Sequence, residues 1–138
     1  MRKRSRAREL ALQILYQIDV RGGNYEDIVV SFWGCEAAGD ADEEMKSFTT
    51  AIIKGIMDNF DDIDARIAAC ATNWQLKRMA VLDRNILRMG CYELIFRDDI
   101  PFKVSINEAV DLAKRYSGPE AGKFVNGILD KIKSETKK

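Results

Sequence analysis

The sequence predicts a compact all-α protein of about seven helices. Along most of the chain, apolar side chains recur every three or four residues, which is the spacing of one helix face. No segment of five residues alternates cleanly enough for a strand. The 138 residues are 46% hydrophobic, which is enough for one core and excludes a mainly disordered protein. We therefore expect a single domain over residues 1–138.

The first two helices are predicted from a long apolar stripe and a short apolar segment. The stripe consists of Ala7, Leu10, Ala11, Ile14, Leu15 and Ile18. Gly22 and Gly23 end this helix, because glycine readily takes the backbone conformation that follows a helix. Tyr16 lies off the stripe, beside polar side chains. Residues 25–33 predict the second helix.

The third and fourth helices follow a loop over residues 34–42, rich in glycine, alanine and aspartate. Asp40 or Asp42 can cap the third helix, and Asp61 can cap the fourth, because a carboxylate accepts from the free N–H groups there. We expect Trp74 to pack at the end of the fourth helix.

The second half of the chain predicts three more helices. Residues 80–97 are apolar around most of the helix circumference, which is typical of a helix at the centre of a protein. Ser105 and Glu108 have the spacing of a capping box that would open the next helix. Gly118 and Pro119 predict its end and the start of the last helix.

The composition argues against catalysis and against metal or cofactor binding. The chain has no histidine, the commonest metal ligand and the base of most nucleophilic triads. Cys35, Cys70 and Cys91 lie too far apart in sequence for a paired-cysteine zinc site, and their odd number fits no disulfide framework. We expect buried, reduced thiols, no cofactor, no metal and no enzyme activity.

The chain shows no sign of membrane insertion or secretion. The longest segment without charge, residues 67–76, is about half of the ~20 residues that a membrane-spanning helix needs. The basic N-terminus is not followed by the apolar run of a signal peptide. We expect a cytoplasmic protein without a membrane partner.

Opposite charges are separated along the chain. Residues 26–64 contain eleven acidic and only two basic side chains, whereas residues 2–8 contain five basic side chains and no acidic one. Cations at a helix N-terminus oppose the helix dipole, so local stability does not explain them. They suit RNA phosphates, with Tyr16 as a candidate ring for base stacking. A solubilising tail and ordinary packing of Tyr16 remain the alternatives.

Four segments resemble the NusB family of bacterial transcription antitermination factors. They are RARELALQILY (residues 6–16), LRMGCYEL (87–94), PFKVSINEAVDLAK (101–114) and KFVNGILDK (123–131). The resemblance implies two small helical subdomains, about 1–75 and 76–138, and no catalysis. It implies that the protein binds single-stranded boxA RNA together with a small-subunit ribosomal protein. It also implies that this complex, with other Nus factors, acts on RNA polymerase and promotes read-through of terminators in ribosomal RNA operons.

The resemblance also implies an RNA surface. Its residues would be Arg2, Lys3, Arg4, Arg6, Arg8, Tyr16, Arg88, Lys123 and Phe124. The cations would contact phosphates, while Tyr16 and Phe124 would contact bases. Phe124 could instead belong to the core, and Arg88 could be a solvated side chain. We expect replacement of Arg6 or Arg8 by alanine to weaken RNA binding with little loss of stability.

Two other functions are compatible with the same features. The chain could be the RNA-binding module of a ribosomal RNA methyltransferase, although it contains no glycine-rich turn of a methyl-donor domain. It could also be a helical protein-interaction module with an incidental basic tail.

Overall fold

The computed structural model describes residues 2–71 and 75–136. Within these residues the chain forms seven α-helices and two short 3-10 helices, at Glu36–Ala38 and Leu76–Arg78, and no strand. The α-helices are α1 (Lys3–Arg21), α2 (Tyr25–Trp33), α3 (Glu43–Asp58), α4 (Phe60–Cys70), α5 (Val81–Phe96), α6 (Phe102–Ser117) and α7 (Pro119–Ser134). The all-α prediction is confirmed. The expected packing of Trp74 lies outside the described residues.

The chain divides into two compact units, Met1–Lys54 and Gly55–Lys138. The division therefore falls inside α3, earlier than the division near residue 75 that the resemblance implied. The reason lies in α4, which packs against α5 and α7 and so belongs to the second unit. Its Ile63 and Ile67 are fully buried.

In the first unit, α1 buries the predicted stripe almost completely. Ala7, Leu10, Ala11, Ile14 and Leu15 are all buried, and α2 packs against α1. The Thr49 hydroxyl of α3 donates a hydrogen bond of 2.9 Å to the Ala7 carbonyl oxygen. This contact joins α1 to α3 without using any cation of α1.

In the second unit, α5 is the central helix, as predicted. It packs against α4, α6 and α7, and ten consecutive residues from Asn85 to Leu94 are buried. Gly118 separates α6 from α7 at φ 102°, a backbone conformation that favours glycine, and Pro119 occupies the first turn of α7. The predicted break between the last two helices is confirmed.

The helix starts agree only in part with the predicted caps. Asp42 Oδ1 accepts a hydrogen bond of 2.8 Å from the Met45 N–H, which confirms its capping role. Asn59, not Asp61, is the residue before α4. The predicted capping box is wrong, because α6 already begins at Phe102 and Ser105 is buried inside it. The Ser105 hydroxyl donates instead to Glu93 Oε1 at 2.8 Å.

The thiols are placed partly as expected. Cys70 and Cys91 are buried, whereas Cys35 is exposed. Burial raises the pKa of the Cys91 thiol to about 12, so this group stays protonated at neutral pH. None of the helices in the described ranges is both long and apolar enough to cross a membrane.

Candidate RNA interface

Two cations of α1 are held by acidic residues around the start of α3. Lys3 Nζ lies 2.7 Å from Asp42 Oδ2 and 3.3 Å from Glu44 Oε2. Arg6 forms a two-pronged contact with Asp40, in which Nε donates to Oδ2 at 2.8 Å and Nη2 to Oδ1 at 3.0 Å. The predicted phosphate contacts therefore already have internal anionic partners.

These contacts change the ionisation of the groups involved. The Arg6 guanidinium holds the pKa of the Asp40 carboxyl below its usual value, and Lys3 does the same to Asp42. Lowered carboxyl pKa values mean that both pairs favour folding above the ordinary pKa of aspartate, and that this contribution is lost as pH falls through the lowered values. At neutral pH both pairs are formed.

Arg4 and Arg8 lie over one aromatic ring of α3. Their guanidinium carbons are 4.6 Å and 5.2 Å from the centre of the Phe48 ring. Arg4 is exposed, but Arg8 is only 2% exposed. A guanidinium so deeply buried stabilises the α1–α3 packing, so the expectation that replacing Arg8 costs little stability has to be revised. The same applies to Arg6, because its Nη1 donates to the buried Glu9 Oε1 at 3.2 Å and its Nη2 to the Ala37 carbonyl oxygen at 3.1 Å.

Arg2, immediately before α1, and Tyr16, on α1, remain accessible. Arg2 is exposed, and Tyr16 keeps 44% of its surface open to solvent. Tyr16 therefore lies off the buried stripe, as its position in the sequence predicted. An exposed ring of this kind is able to stack on an unpaired base.

Arg88 is not a solvated side chain. It is 7% exposed, with Nε and Nη2 donating to the two Asp64 carboxylate oxygens at 2.8 Å and 3.0 Å. Its Nη1 donates to Asn85 Oδ1 at 3.0 Å, and its guanidinium carbon lies 4.6 Å from the Phe60 ring centre. This arrangement joins α4 to α5 and leaves the side chain little access to a phosphate.

Lys123 and Phe124 line a cavity of about 590 Å³ in the second unit. Lys123 is exposed and Phe124 is half-buried, so Phe124 is neither fully in the core nor fully open. The lining residues are Arg78, Met79, Ala80, Asp83, Ser117, Glu120, Ala121, Lys123 and Phe124. Arg88 is not among them.

The cavity was not predicted from the sequence. Asp83, in the first turn of α5, contributes a buried Oδ1 atom that has no hydrogen-bond partner in the described part of the chain. Arg78 and Lys123 supply positive charge to the lining, and Lys123 Nζ lies 3.6 Å from Oε1 of Glu120, which also lines the cavity. The combination of one aromatic ring, two cations and a free carboxylate oxygen suits a polar aromatic group such as a nucleobase.

The nine predicted residues thus fall into four environments. Arg2, Arg4, Tyr16 and Lys123 are exposed, and Phe124 is half-buried at the cavity. Lys3 and Arg6 are engaged by Asp40, Asp42 and Glu44. Arg8 and Arg88 are buried. No cluster of three or more metal-ligating side chains occurs within residues 2–71 and 75–136.

Comparison with known proteins identifies relatives over nearly the whole chain. A sequence model described as the NusB family matches residues 5–134. The transcription antitermination protein NusB of Anaeromyxobacter dehalogenans is 43% identical over 132 residues, which cover 96% of this chain and 91% of that protein.

Solved structures agree with this assignment. NusB of T. maritima is 39% identical with a TM-score of 0.87, covering 96% of this chain and 92% of that one. A crystal structure of the antitermination factors NusB and NusE in complex with double-stranded RNA contains a chain that is 30% identical with a TM-score of 0.87, covering 98% of both chains. The chain belongs to the NusB family.

Proposed function

We propose that this chain is a cytoplasmic transcription antitermination factor. It binds boxA-type single-stranded RNA together with a small-subunit ribosomal protein, and the complex acts with other Nus factors to promote read-through by RNA polymerase in ribosomal RNA operons. It is not an enzyme. The observation that carries this proposal is the fold shared over 98% of the chain with a protein solved together with NusE and RNA.

The RNA surface is narrower than the nine residues that the resemblance implies. Arg2, Arg4 and Lys123 contact phosphates, because they are exposed cations. Tyr16 stacks on a base, and Phe124 contacts another base at the cavity. Lys3 and Arg6 join these contacts only when their acidic partners release them. Arg8 and Arg88 are buried, and they stabilise the first and the second unit, respectively.

The antitermination factor is favoured over a methyltransferase module by the extent of the match. This chain covers 91% of the length of its Anaeromyxobacter dehalogenans relative, which is itself described as an antitermination protein. That relative therefore has little length outside the shared region. An incidental basic tail is disfavoured by the solved complex with RNA.

A salt titration tests RNA binding directly. We expect the affinity for a boxA-type RNA to fall with salt with a log–log slope of about −2, since each of the three exposed cations Arg2, Arg4 and Lys123 would release about 0.7 counterion from a single strand. Fluorescence anisotropy with and without the ribosomal partner measures this. We expect the partner to tighten binding to the boxA-type sequence more than to a scrambled one. An affinity that does not change with salt concentration would contradict the proposal, and so would equal affinity for the boxA-type and the scrambled RNA.

The role of Phe124 has its own test. We expect Phe124→Ala to weaken RNA binding about five- to fiftyfold, because the loss of one aromatic contact to a base has this size. Phe96→Ala is the matched control, since Phe96 is a partly exposed ring of the same unit that does not line the cavity. Equal losses for both variants, at equal melting temperatures, would show that the cavity ring has no special role.

A further inference from the structure

Two of the cations that the resemblance assigns to RNA phosphates, Lys3 and Arg6, are already bound by carboxylates of the same unit. We call Asp40, Asp42 and Glu44 the acidic loop. Asp40 and Asp42 lie in the connection before α3, and Glu44 lies in the first turn of α3. All three contact Lys3 or Arg6 of α1, more than thirty residues earlier in the chain.

We propose that the acidic loop is a built-in competitor for RNA phosphates at Lys3 and Arg6. RNA gains these two contacts only by displacing the carboxylates, so the loop sets the affinity of the free protein for RNA. The inference rests on the proposed function and adds a form of regulation to it.

The geometry of the Arg6 contact supports direct competition. A guanidinium binds a carboxylate and a phosphate in the same way, through two parallel N–H donors. In the structure Asp40 takes the Nε and Nη2 donors of Arg6 at 2.8 Å and 3.0 Å, and the Ala37 carbonyl oxygen accepts from Nη2 at 3.1 Å. The remaining Nη1 donates to Glu9 Oε1 at 3.2 Å, so the fork that faces Asp40 is the one that a phosphate would compete for. A phosphate oxygen needs the same donors, so the two anions cannot both occupy them.

The exposure of these pairs makes displacement feasible. The Asp40 side chain is 54% exposed and its partner Arg6 is 26% exposed, while Lys3 and Asp42 are 57% and 43% exposed. Exposed ion pairs are individually weak, so phosphates drawn in by the neighbouring cations are able to replace them. The buried pair of Arg88 with Asp64 lacks this property.

Within the acidic loop, Asp42 is also positioned by a contact that does not involve the cations. Asp42 uses Oδ1 to accept from the Met45 N–H at the start of α3, while Oδ2 contacts Lys3. Loss of the Lys3 contact therefore leaves the helix cap in place. The Asp42 carboxylate therefore stays close to Lys3 and is able to pair with it again when RNA dissociates.

Neutralising the acidic loop tests the proposal. The triple variant Asp40→Asn, Asp42→Asn, Glu44→Gln removes the three charges, and asparagine at position 42 still accepts the capping hydrogen bond. We expect it to bind a single-stranded boxA-type RNA about three- to tenfold more tightly at low salt, because the three ion pairs of Lys3 and Arg6 with these carboxylates no longer have to open. Anisotropy titration of the full chain without its partner measures the change.

Two matched controls separate competition from a general effect of charge. Glu26→Gln, Asp27→Asn, Glu36→Gln removes the same number of charges from exposed positions of the same unit, and we expect a clearly smaller gain. In a Lys3→Gln, Arg6→Gln background, we expect neutralising the acidic loop to give almost no gain. A gain in RNA affinity of the same size in that background would overturn the proposal. The acidic loop would then act only through its long-range electrostatic repulsion of RNA.

The outcomes distinguish this inference from the function on which it rests. If the native chain binds RNA and the triple variant gains nothing, the competition is refuted and the proposed function stands. If neither the native chain nor any variant binds RNA, with or without the ribosomal partner, both are refuted. Should the triple variant fold poorly by circular dichroism, Asp40→Asn alone breaks the contact with Arg6 and leaves the Asp42 cap intact, and a smaller gain is expected from it.

Discussion

Arg88→Ala should destabilise the protein by about 3 kcal/mol, the largest effect of any substitution proposed for this chain. The change removes three hydrogen bonds, two to Asp64 and one to Asn85, from a side chain that is 7% exposed. It leaves the Asp64 carboxylate without its counter-ion and opens space beside the Phe60 ring. Urea unfolding followed by circular dichroism gives the change in free energy.

A double-mutant cycle assigns this loss to the ion pair. If Arg88 and Asp64 act as a pair, Asp64→Ala should cost much less in the Arg88→Ala background than in the native chain. Arg88→Lys should restore only part of the stability, because an ammonium cannot reproduce the two parallel bonds to Asp64.

The same variant decides between two roles for Arg88. A residue of the RNA surface would lose RNA affinity on replacement and keep its stability. We expect the opposite result: Arg88→Ala lowers the free energy of unfolding, and the folded variant binds RNA as tightly as the native chain. Any apparent loss of RNA affinity would come from the fraction of protein that is unfolded. Unchanged stability with a clear loss of RNA binding would contradict the interior role that the contacts of Arg88 indicate.

The helices were largely predictable because each is encoded locally. The stripe of α1, the apolar circumference of α5 and the Gly118–Pro119 junction all depend on residues within a few turns of one another. Periodicity reports which face of a helix is buried, and in these elements burial agrees with it. The same local signals indicated the family.

The roles of the charged residues were much less predictable, because their partners are distant in sequence. Arg88 pairs with Asp64 from another helix, and Arg6 pairs with Asp40 across more than thirty residues. Nothing in the local spacing of either arginine reports such a partner. From the sequence alone, a cation outside the apolar stripe of a helix is predicted to be exposed. The prediction is the same whether the side chain contacts water, RNA or a carboxylate.

Ser105 illustrates a local signal overruled by packing. Its spacing from Glu108 is that of a capping box, yet α6 already begins at Phe102. The serine hydroxyl lies in the interior, where it donates to Glu93, a carboxylate that is only 2% exposed. A buried carboxylate needs such donors, and this need outweighs a cap that the helix does not require.

Gly55→Ala should destabilise the protein by about 1–2 kcal/mol, although alanine is the better helix former. Gly55 lies inside α3, and a Cβ atom there would overlap the ring of Tyr92 on α5. That ring is 7% exposed and stacks on Phe96 at 5.8 Å between ring centres, so it has little room to withdraw. The overlap therefore outweighs the gain in helix propensity.

Gly127→Ala is the control for this prediction, because Gly127 lies inside α7 with nothing within 4 Å of the added carbon. It should stabilise the protein by about 0.5–1 kcal/mol, which isolates the propensity effect. Shortening the ring partner provides the second check: in a Tyr92→Leu background, Gly55→Ala should cost much less. If Gly55→Ala and Gly127→Ala were equally stabilising in urea unfolding, the Tyr92 ring would have to move away from the added carbon at almost no cost in free energy. The close approach of α3 to α5 at Gly55 would then not depend on a missing side chain.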